Sequence, residues 1–319
     1  MPRILVTGAV GQIGTELTRE LRRREGPQNV LATSRRSGPP ADEPLAGPFA
    51  ALDVSNPRAI AQCIERHRID TIYHLAAILS AAGEEQPQLA WEVNMGGLVN
   101  VLEAARLGQV RKVFWPSSIA AFGPQTPLVS TPQDTIMRPT TIYGVSKVAG
   151  ELLCDYYFRK YRLDTRGVRY PGVISSETKP SGGTTDYAVE MFYAAVEHRP
   201  YTCFVRDDTV LPMIYIPDCI RATIDLMEAD LSHLRHHNSF NVAAMSFSAG
   251  ELAAEIRKHV PDFACTYAPD QRQAIADFWP RSLDDSAARR EWGWQPEFDL
   301  ANMTRDMLEK LRIKQNRRC

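Results

Sequence analysis

The chain has 319 residues, of which 44% are hydrophobic and 24% are charged, and this composition is typical of a globular protein with a buried core. A formal net charge of -1 at pH 7 argues against a protein that binds nucleic acid through a generally basic surface. Because no apolar run is long enough to cross a bilayer and the N-terminus leads directly into a strand, we expect a cytoplasmic protein with neither a membrane partner nor a signal peptide.

The cysteines and histidines give no metal-binding pattern. The cysteines are scattered and contain no Cys-x-x-Cys pair, which favours reduced thiols. His233, His236 and His237 are crowded among polar residues near a predicted helix end, and we interpret them as solvated surface. We therefore predict that the protein has no metal site.

The N-terminal residues predict a strand, a glycine-rich turn and a helix. An apolar run over residues 3–7 precedes glycines at positions 8, 11 and 14, and leucines follow at helical spacing. Glycines at this spacing permit a tight turn and close approach of the backbone to a pyrophosphate, while the helix N-terminus offers free N–H groups to phosphates. The residues predicted to bind a dinucleotide cofactor here are Gly8, Gly11, Gln12, Ile13 and Gly14.

The end of the second predicted strand bears on which coenzyme is used. Dinucleotide folds that bind NAD usually carry an acidic residue at this position, which accepts both ribose hydroxyls. This chain has Ser34 there, followed by Arg35 and Arg36. Serine and arginine suit the 2′-phosphate of NADP, although the arginines could instead stack on adenine or face solvent. The position alone leaves NAD and NADP open.

Later strand ends provide further candidates for cofactor binding. The third strand ends at an aspartate that could accept a hydrogen bond from the adenine amino group. The fourth ends in small residues, where the backbone must pass close to a flat group. An asparagine inside the next apolar helix needs hydrogen-bond partners. These residues are Asp53, Val54, Leu75, Ala76, Ala77 and Asn94.

The alternation of strands and helices predicts an α/β fold with a doubly wound parallel sheet, whose ligand lies beyond the carboxyl ends of the strands. After about residue 170 this alternation breaks, which predicts a smaller C-terminal α/β substrate lobe. We assign residues 1–170 and about 213–242 to a dinucleotide-binding domain, and about 171–212 and 243–312 to a substrate domain. Residues 313–319 are polar and basic, and we predict a disordered tail.

A tyrosine and a lysine on one predicted helix form the candidate catalytic pair. Tyr143 and Lys147 are four residues apart, so on a helix they share a face. An ammonium beside a phenol favours the phenolate, and a lowered phenol pKa would make Tyr143 a proton acceptor for an alcohol. Such a pair is common on any amphipathic helix and means little alone. Here the candidate cofactor-binding residues at the strand ends support the catalytic interpretation of the pair.

Together these motifs resemble the extended short-chain dehydrogenase/reductase superfamily. The resemblance is carried by Thr7-Gly8-x-x-Gly11-x-x-Gly14, His74-Leu75-Ala76-Ala77, Asn94, Ser117-Ser118 before Ala120-Ala121-Phe122-Gly123, and Tyr143-x-x-x-Lys147. It implies a Rossmann domain for NAD(P) and a catalytic set of Ser118, Tyr143 and Lys147, with Ser117 as the alternative serine. It also implies that the turn at Tyr170 contacts the nicotinamide end of the cofactor.

Segments of the second half resemble one branch of that superfamily, the short-chain type of L-threonine 3-dehydrogenases. These segments are residues 115–124, 170–172, 182–188, 211–218 and 279–284, and the resemblance covers essentially residues 3–311. It implies NAD-dependent oxidation of the 3-hydroxyl of a small amino acid, a homodimer, and an amino-acid site that adds Ser80, Thr184, Thr185 and Trp279 to Ser118 and Tyr143. Helix capping by Thr185 or Asp186, and packing of Trp279 in a lobe core, are alternative explanations.

Two other functions stay open. A sugar-nucleotide epimerase or dehydratase shares the Ser–Tyr–Lys set, but it needs a lobe that grips a nucleotide diphosphate. The basic residues around positions 177–210 are few: Lys179, His198, Arg199 and Arg206. A non-enzymatic NAD(P)-sensing protein would not be expected to keep the serine, tyrosine and lysine together.

Overall fold

The computed structural model describes residues 3–35, 47–178 and 182–316, so the predictions that concern Arg36 and Lys179 lie outside the described residues. In chain order the strands are β1 (Ile4–Thr7), β2 (Val30–Ser34), β3 (Phe49–Ala51), β4 (Thr71–His74), β5 (Lys112–Phe114), β6 (Ser117–Ser118), β7 (Asp164–Arg166), β8 (Val168–Tyr170), β9 (Gly172–Ile174), β10 (Tyr201–Cys203), β11 (Val210–Tyr215), β12 (Phe240–Asn241), β13 (Met245–Ser248) and β14 (Cys265–Tyr267).

The helices are α1 (Gln12–Glu25), α2 (Pro57–His67), α3 (Ser80–Glu85), α4 (Pro87–Trp91), α5 (Gly97–Leu107), α6 (Ile142–Tyr161), α7 (Tyr187–Val196), α8 (Ile216–Glu228), α9 (Ala249–Arg257), α10 (Gln271–Ala276), α11 (Ser286–Trp292) and α12 (Leu300–Asn316). A π-helical segment, Glu92–Gly96, joins α4 to α5. Short 3-10 turns lie at Pro27–Asn29, Ile119–Ala121 and Leu231–His233.

In the described residues, six parallel strands form the central sheet in the order β3-β2-β1-β4-β5-β7. Each residue of β1, β2 and β4 is buried, as expected for strands covered by helices on both faces. The order reverses between β1 and β4, which is where a doubly wound sheet opens a crevice for a ligand. The predicted doubly wound, Rossmann-like fold is confirmed.

The chain leaves the central sheet at Gly167. A Cβ atom at this glycine would lie 2.1 Å from the carbonyl oxygen of Trp115, so only glycine allows the two segments to approach so closely. Residues 164–169, which the sequence predicts as a single strand, therefore form two strands: β7 in the central sheet, and β8 between β6 and β12 in a second parallel sheet. This crossing places Tyr170 beside Ser118, its partner in the strand register.

Smaller sheets, β13-β11-β9 and β10-β14, lie outside the central sheet, and helices α7, α9 and α12 pack on one another. The division into two domains stays a prediction. The tail predicted to be disordered is helical as far as Asn316, and residues 317–319 lie outside the described residues. One reason is that Lys314 Nζ donates to the carbonyl oxygens of Ser176 and Glu177, at 2.9 Å and 2.8 Å.

The histidine cluster is a second correction. His236 is half-buried, with Nδ1 2.6 Å from Glu291 Oε1, and the His237 ring stacks on Phe158 at 3.6 Å between centroids. Only His233 is the solvated residue that we predicted. Among the described residues no group of three or more His, Cys, Asp or Glu could hold a metal ion, and no helix in those residues is long and apolar enough to span a membrane.

Candidate active site

A cavity of 260 Å³ lies at the carboxyl ends of β1, β4 and β6 and extends from the glycine-rich turn to Trp279. It brings together fifteen of the predicted site residues: Gly8, Gly11, Gln12, Ile13, Gly14, Leu75, Ala77, Ser80, Ser118, Tyr143, Lys147, Tyr170, Thr184, Thr185 and Trp279. The predicted cofactor residues outside its lining are Ser34, Arg35, Asp53, Val54, Ala76 and Asn94. Candidate cofactor and substrate residues therefore share one cavity.

The glycine-rich turn has the geometry that a pyrophosphate needs. Gly8 has a φ of +68°, and a Cβ there would lie 2.7 Å from the backbone nitrogen of Ala76. A Cβ at Gly14 would lie 2.1 Å from the carbonyl oxygen of Gly8. Helix α1 begins next to this turn, and its N-cap, Gly11, has no side chain to occupy the N–H groups of the first turn. These residues fit a dinucleotide cofactor.

The residues predicted for the adenosine end differ in exposure and in hydrogen-bond partners. Ser34 is buried at the end of β2, whereas Arg35 is exposed. The Asp53 carboxylate accepts hydrogen bonds from the backbone nitrogen and the hydroxyl of Ser55, at 2.9 Å and 2.8 Å, and these bonds lower its pKa. Asp53 thus already has partners in its own turn.

Asn94, which we predicted to contact the cofactor, makes two hydrogen bonds to the backbone. Its Oδ1 accepts from the Ile78 nitrogen at 2.8 Å and its Nδ2 donates to the Ile78 oxygen at 3.0 Å. The residue lies in the π-helical segment, a feature frequently found near functional sites. Its amide therefore fixes the chain between β4 and Ser80.

Tyr143 lies in the first turn of α6, where two contacts bring it to β6. Thr141 caps the helix by accepting from the Gly144 nitrogen at 3.0 Å. A Cβ at Gly144 would lie 2.2 Å from the Ala120 carbonyl oxygen, so the glycine permits close packing of the helix on the 3-10 turn that follows β6. The Tyr143 phenol forms a hydrogen bond with Ser118. The Ser117 hydroxyl instead donates to Glu151 Oε1 at 2.5 Å.

Burial raises the pKa of Tyr143 to about 12, and the Ser118 hydrogen bond partly opposes this rise. The Lys147 ammonium lies 5.2 Å from the centre of the Tyr143 ring and donates to the Pro116 carbonyl oxygen at 2.6 Å. Burial also lowers the pKa of Lys147 to about 7. The predicted lowering of the Tyr143 pKa is therefore wrong for the protein alone, because desolvation of the buried phenol dominates.

On the far side of the cavity, Ser80 and Thr184 meet. Their hydroxyl oxygens are 3.3 Å apart, and both side chains are buried. No side chain caps helix α7; the Asp186 carboxylate accepts from the backbone nitrogens of Gly182 and Gly183, at 2.9 Å and 2.7 Å. The alternative of capping by Thr185 or Asp186 is therefore wrong, and the carboxylate shapes the glycine loop that carries the two threonines.

Trp279 was considered from the sequence either as part of the amino-acid site or as a residue of a lobe core, and the structure gives it both environments. Its side chain is 7% exposed and packs on the main hydrophobic core. It also lines the cavity opposite the glycine-rich turn. Trp279 is thus a core residue whose ring forms one wall of the cavity.

Comparison with known proteins identifies the chain's relatives. A model of the NAD dependent epimerase/dehydratase family matches residues 4–243. The chain belongs to this family. An uncharacterized epimerase/dehydratase of Staphylococcus haemolyticus is 52% identical over 99% of both chains. A GalE-like L-threonine dehydrogenase of Cupriavidus necator, solved in its holo form, is 51% identical, with a TM-score of 0.94 over 97% of this chain and 100% of that one.

A monomeric L-threonine 3-dehydrogenase of metagenomic origin is 49% identical, with a TM-score of 0.94 over 98% of this chain and 99% of that one. These similarities confirm the predicted resemblance to the extended short-chain superfamily and to its threonine dehydrogenase branch.

Two buried polar features of this epimerase/dehydratase family member went unpredicted. His74 Nδ1 lies 2.7 Å from the Thr7 hydroxyl, and burial lowers the pKa of His74 to about 3, so the imidazole stays neutral. Glu151 and Arg169 form an ion pair behind the catalytic candidates, with a distance of 2.9 Å. Glu151 follows Lys147 by four residues, and this spacing could have predicted that Glu151 lies on the same helix face as Tyr143 and Lys147.

Proposed function

We propose that this protein oxidises the 3-hydroxyl of L-threonine to 2-amino-3-oxobutanoate by hydride transfer to NAD. The observation that carries the proposal is the shared cavity: the Ser80–Thr184 hydroxyl pair faces the same space as Ser118, Tyr143 and Lys147. The threonine dehydrogenases among the similar structures support the choice of substrate.

In the proposed reaction Tyr143 accepts the proton of the substrate hydroxyl, and Ser118 orients that hydroxyl. Because the buried phenol is protonated at neutral pH in the protein alone, its basic form needs a positive charge nearby. The Lys147 ammonium is within reach of the ring and supplies that charge. When bound, NAD provides the hydride acceptor; the glycine-rich turn and Lys147 would hold it.

Substrate recognition relies on short hydroxyl side chains. A small zwitterion needs donors for its carboxylate and little space beyond a methyl group. Ser80, Thr184 and Thr185 supply such donors, and these short hydroxyl side chains can pair with a carboxylate without requiring a bulky ligand. Trp279 forms the wall that excludes water from the reacting atoms.

The coenzyme we propose is NAD. The family and its holo threonine dehydrogenase member favour NAD, whereas the Ser34-Arg35 sequence favours NADP. Ser34 is buried at the strand end, so a 2′-phosphate would depend on the exposed Arg35 for its charged partner.

The epimerase alternative is weakened by where the basic side chains of the second half point. Arg206 pairs with Asp277 at 2.6 Å and with Asp208 at 3.3 Å. Arg199 and His198 pair in the same way, with Glu197 and Asp262. These side chains already have carboxylate partners, so a sugar-nucleotide diphosphate would have to displace those partners to bind them.

The experiment that tests this function offers L-threonine and UDP-glucose to the same protein side by side. Threonine oxidation is followed by the absorbance of the reduced coenzyme, and conversion of UDP-glucose is followed by chromatography of the sugar nucleotide, because an epimerase returns the hydride and reduces no coenzyme overall. We expect turnover with L-threonine, little with D-threonine and none with UDP-glucose. Turnover with the sugar nucleotide and none with threonine would promote the epimerase. Coenzyme binding without any turnover of either compound would favour the sensing protein.

We also propose that two copies of the chain associate through the neighbouring helices α5 and α6. Exposed apolar side chains lie on these helices, at Val99, Val145, Leu152 and Tyr156. A 49% identical relative is monomeric, so membership of the family does not decide the oligomeric state. Light scattering should give a dimer for the native chain and a monomer for Leu152→Glu; a monomeric native chain would contradict this proposal.

A further inference from the structure

Glu151 extends the face of α6 that carries the catalytic candidates. Tyr143, Lys147 and Glu151 follow one another at intervals of four residues, so they lie along one side of the helix. The Glu151 carboxylate is buried, and Arg169 donates to it through Nε and Nη2, each at 2.9 Å. A third donor, the hydroxyl of Ser117, completes its hydrogen bonds at 2.5 Å.

Ser117 is the residue that connects this carboxylate to the reacting atoms. It precedes Ser118 in β6, and β6 pairs with β8, the strand of Arg169. In a strand successive side chains point to opposite faces, so a Ser117 hydroxyl fixed on Glu151 directs Ser118 to the other side, toward Tyr143. The ion pair thus anchors β6 at Ser117, and the Ser118 hydroxyl is held in addition by the Ala120 nitrogen, from which it accepts a hydrogen bond at 3.2 Å.

Arg169 also ties this arrangement to strand β12 and to the loop that precedes α6. Its Nη1 donates to the Gln133 carbonyl oxygen at 2.7 Å and to Asn241 Oδ1 at 3.1 Å. Asn241 in turn donates to the carbonyl oxygens of Thr131 and Asp284, at 3.1 Å and 3.2 Å. The guanidinium therefore has a partner for each of its nitrogens, and the network is rigid.

The same carboxylate is the anionic group on the buried side of Lys147. The titratable and charged groups around this ammonium are Tyr143, Glu151 and Cys154 on α6, His74 on β4 and, behind Glu151, Arg169 on β8. The Trp115 ring, 4.4 Å from the ammonium, and the Pro116 carbonyl complete the surroundings. Burial disfavours the ammonium, and the Glu151 carboxylate opposes that effect.

From this geometry, and resting on the proposed function, we infer that the Glu151–Arg169 ion pair is a positioning device for the reaction. It positions Ser118 toward Tyr143 through Ser117, and its carboxylate favours the protonated form of Lys147. Neither residue lines the cavity, so Glu151 acts through its neighbours and not by contact with substrate.

The test compares Glu151→Gln with Asp164→Asn. Asp164 forms a similarly buried pair with Arg166, at 2.8 Å, in the strand just before β8, and it has no contact with the catalytic candidates. Glu151→Gln should move the alkaline limb of the kcat profile toward lower pH by about one unit or more, because a nearby opposite charge is lost. Asp164→Asn should leave that limb in place. If the alkaline limb of the kcat profile lies at the same pH in both variants, the proposed role of the Glu151 charge is overturned.

Two further variants separate the positioning role of Glu151 from the role of its charge. They also keep the inference testable if the Glu151→Gln protein does not fold. Ser117→Ala and Glu151→Asp keep the carboxylate but break or lengthen the contact between them. Both should lower kcat several-fold at an unchanged KM for the coenzyme. Native kcat in both would overturn the positioning role.

Lysine titration by NMR gives a readout that does not depend on turnover. With lysines labelled at Cε and the Lys147 signal assigned through Lys147→Arg, its pKa should be lower in Glu151→Gln than in the native chain and in Asp164→Asn. An unchanged Lys147 pKa would contradict the inference. A native chain that fails to oxidise threonine would sink the proposed function, whereas this titration would still decide the role of Glu151.

Discussion

The hydroxyl oxygens of Ser80 and Thr184 lie 3.3 Å apart in one cavity although the two residues are 104 positions apart in the chain. Ser80 starts the short helix after β4, and Thr184 lies in the turn before α7. Neither segment carries a metal-ligand or nucleophile motif. Their meeting in the cavity that Tyr143 also lines provides hydroxyl groups that could donate to a substrate carboxylate.

Substitution of the cavity wall should weaken substrate binding and spare the coenzyme. Thr185→Ala removes a hydroxyl whose bond to a carboxylate contributes ~1.5–3 kcal/mol, so KM for threonine should rise ~10–100-fold. Trp279→Ala should raise it as well, because water then enters the cavity. Thr202→Ala, an exposed threonine on β10, serves as the control. Unchanged kinetics in both cavity variants would mean that the substrate lies elsewhere in the cleft.

Removal of one oxygen from the proposed base tests the chemistry. Tyr143→Phe keeps the packed ring, so the thermal midpoint should stay close to that of the native chain while kcat falls by ~10²-fold or more. Tyr156→Phe is a matched control, since Tyr156 lies on the same helix but is exposed and its oxygen accepts from Lys160. Near-native turnover by Tyr143→Phe would refute the assignment.

Coenzyme preference should favour NAD in a comparison of kcat/KM values. Any use of NADP should depend on Arg35, because a charged hydrogen bond to the 2′-phosphate contributes ~1.5–3 kcal/mol. Arg35→Ala should therefore reduce kcat/KM for NADP ~10–100-fold and leave the value for NAD nearly unchanged. A native chain with the higher value for NADP would overturn the choice of NAD.

The last turn of α12 should stabilise the protein. Lys314 Nζ donates to the carbonyl oxygens of Ser176 and Glu177 and lies 3.2 Å from the Glu177 carboxylate. Ser176 and Glu177 precede the cavity threonines in the chain. Lys314→Ala should lower the free energy of unfolding by ~1–2 kcal/mol. Lys258→Ala, which removes one surface ion pair within α9 and its C-cap, should cost less than about 0.5 kcal/mol. Equal midpoints in urea unfolding would show that α12 is not anchored in this way.

Local signals predicted the sheet and most of the cavity. The apolar runs, the glycines at 8, 11 and 14 and the spacing of Tyr143 and Lys147 each act over a few residues, so they can be read from the chain. Since parallel strands end at one edge of the sheet, their terminal residues were expected to meet.

The sequence did not show which polar side chains pair with residues that are distant in the chain. Asn94 binds the backbone of Ile78 and Glu151 binds Arg169, and periodicity does not specify such partners. The pKa of Tyr143 was predicted in the wrong direction because the spacing of Lys147 was visible but the burial of the phenol was not. The helical end of α12 depends on carbonyl groups of a distant loop, Ser176 and Glu177, and its polar composition concealed that contact.

The central claim is that the hydride leaves C3 of L-threonine, and isotopic labelling tests it most directly. L-threonine deuterated at C3 is incubated with the native chain and NAD, and the reduced coenzyme is analysed by mass spectrometry. We predict that each reduced coenzyme carries one deuterium and that Tyr143→Phe forms the same product far more slowly. Reduced coenzyme without deuterium, or no reduction by threonine at all, would contradict the proposed function.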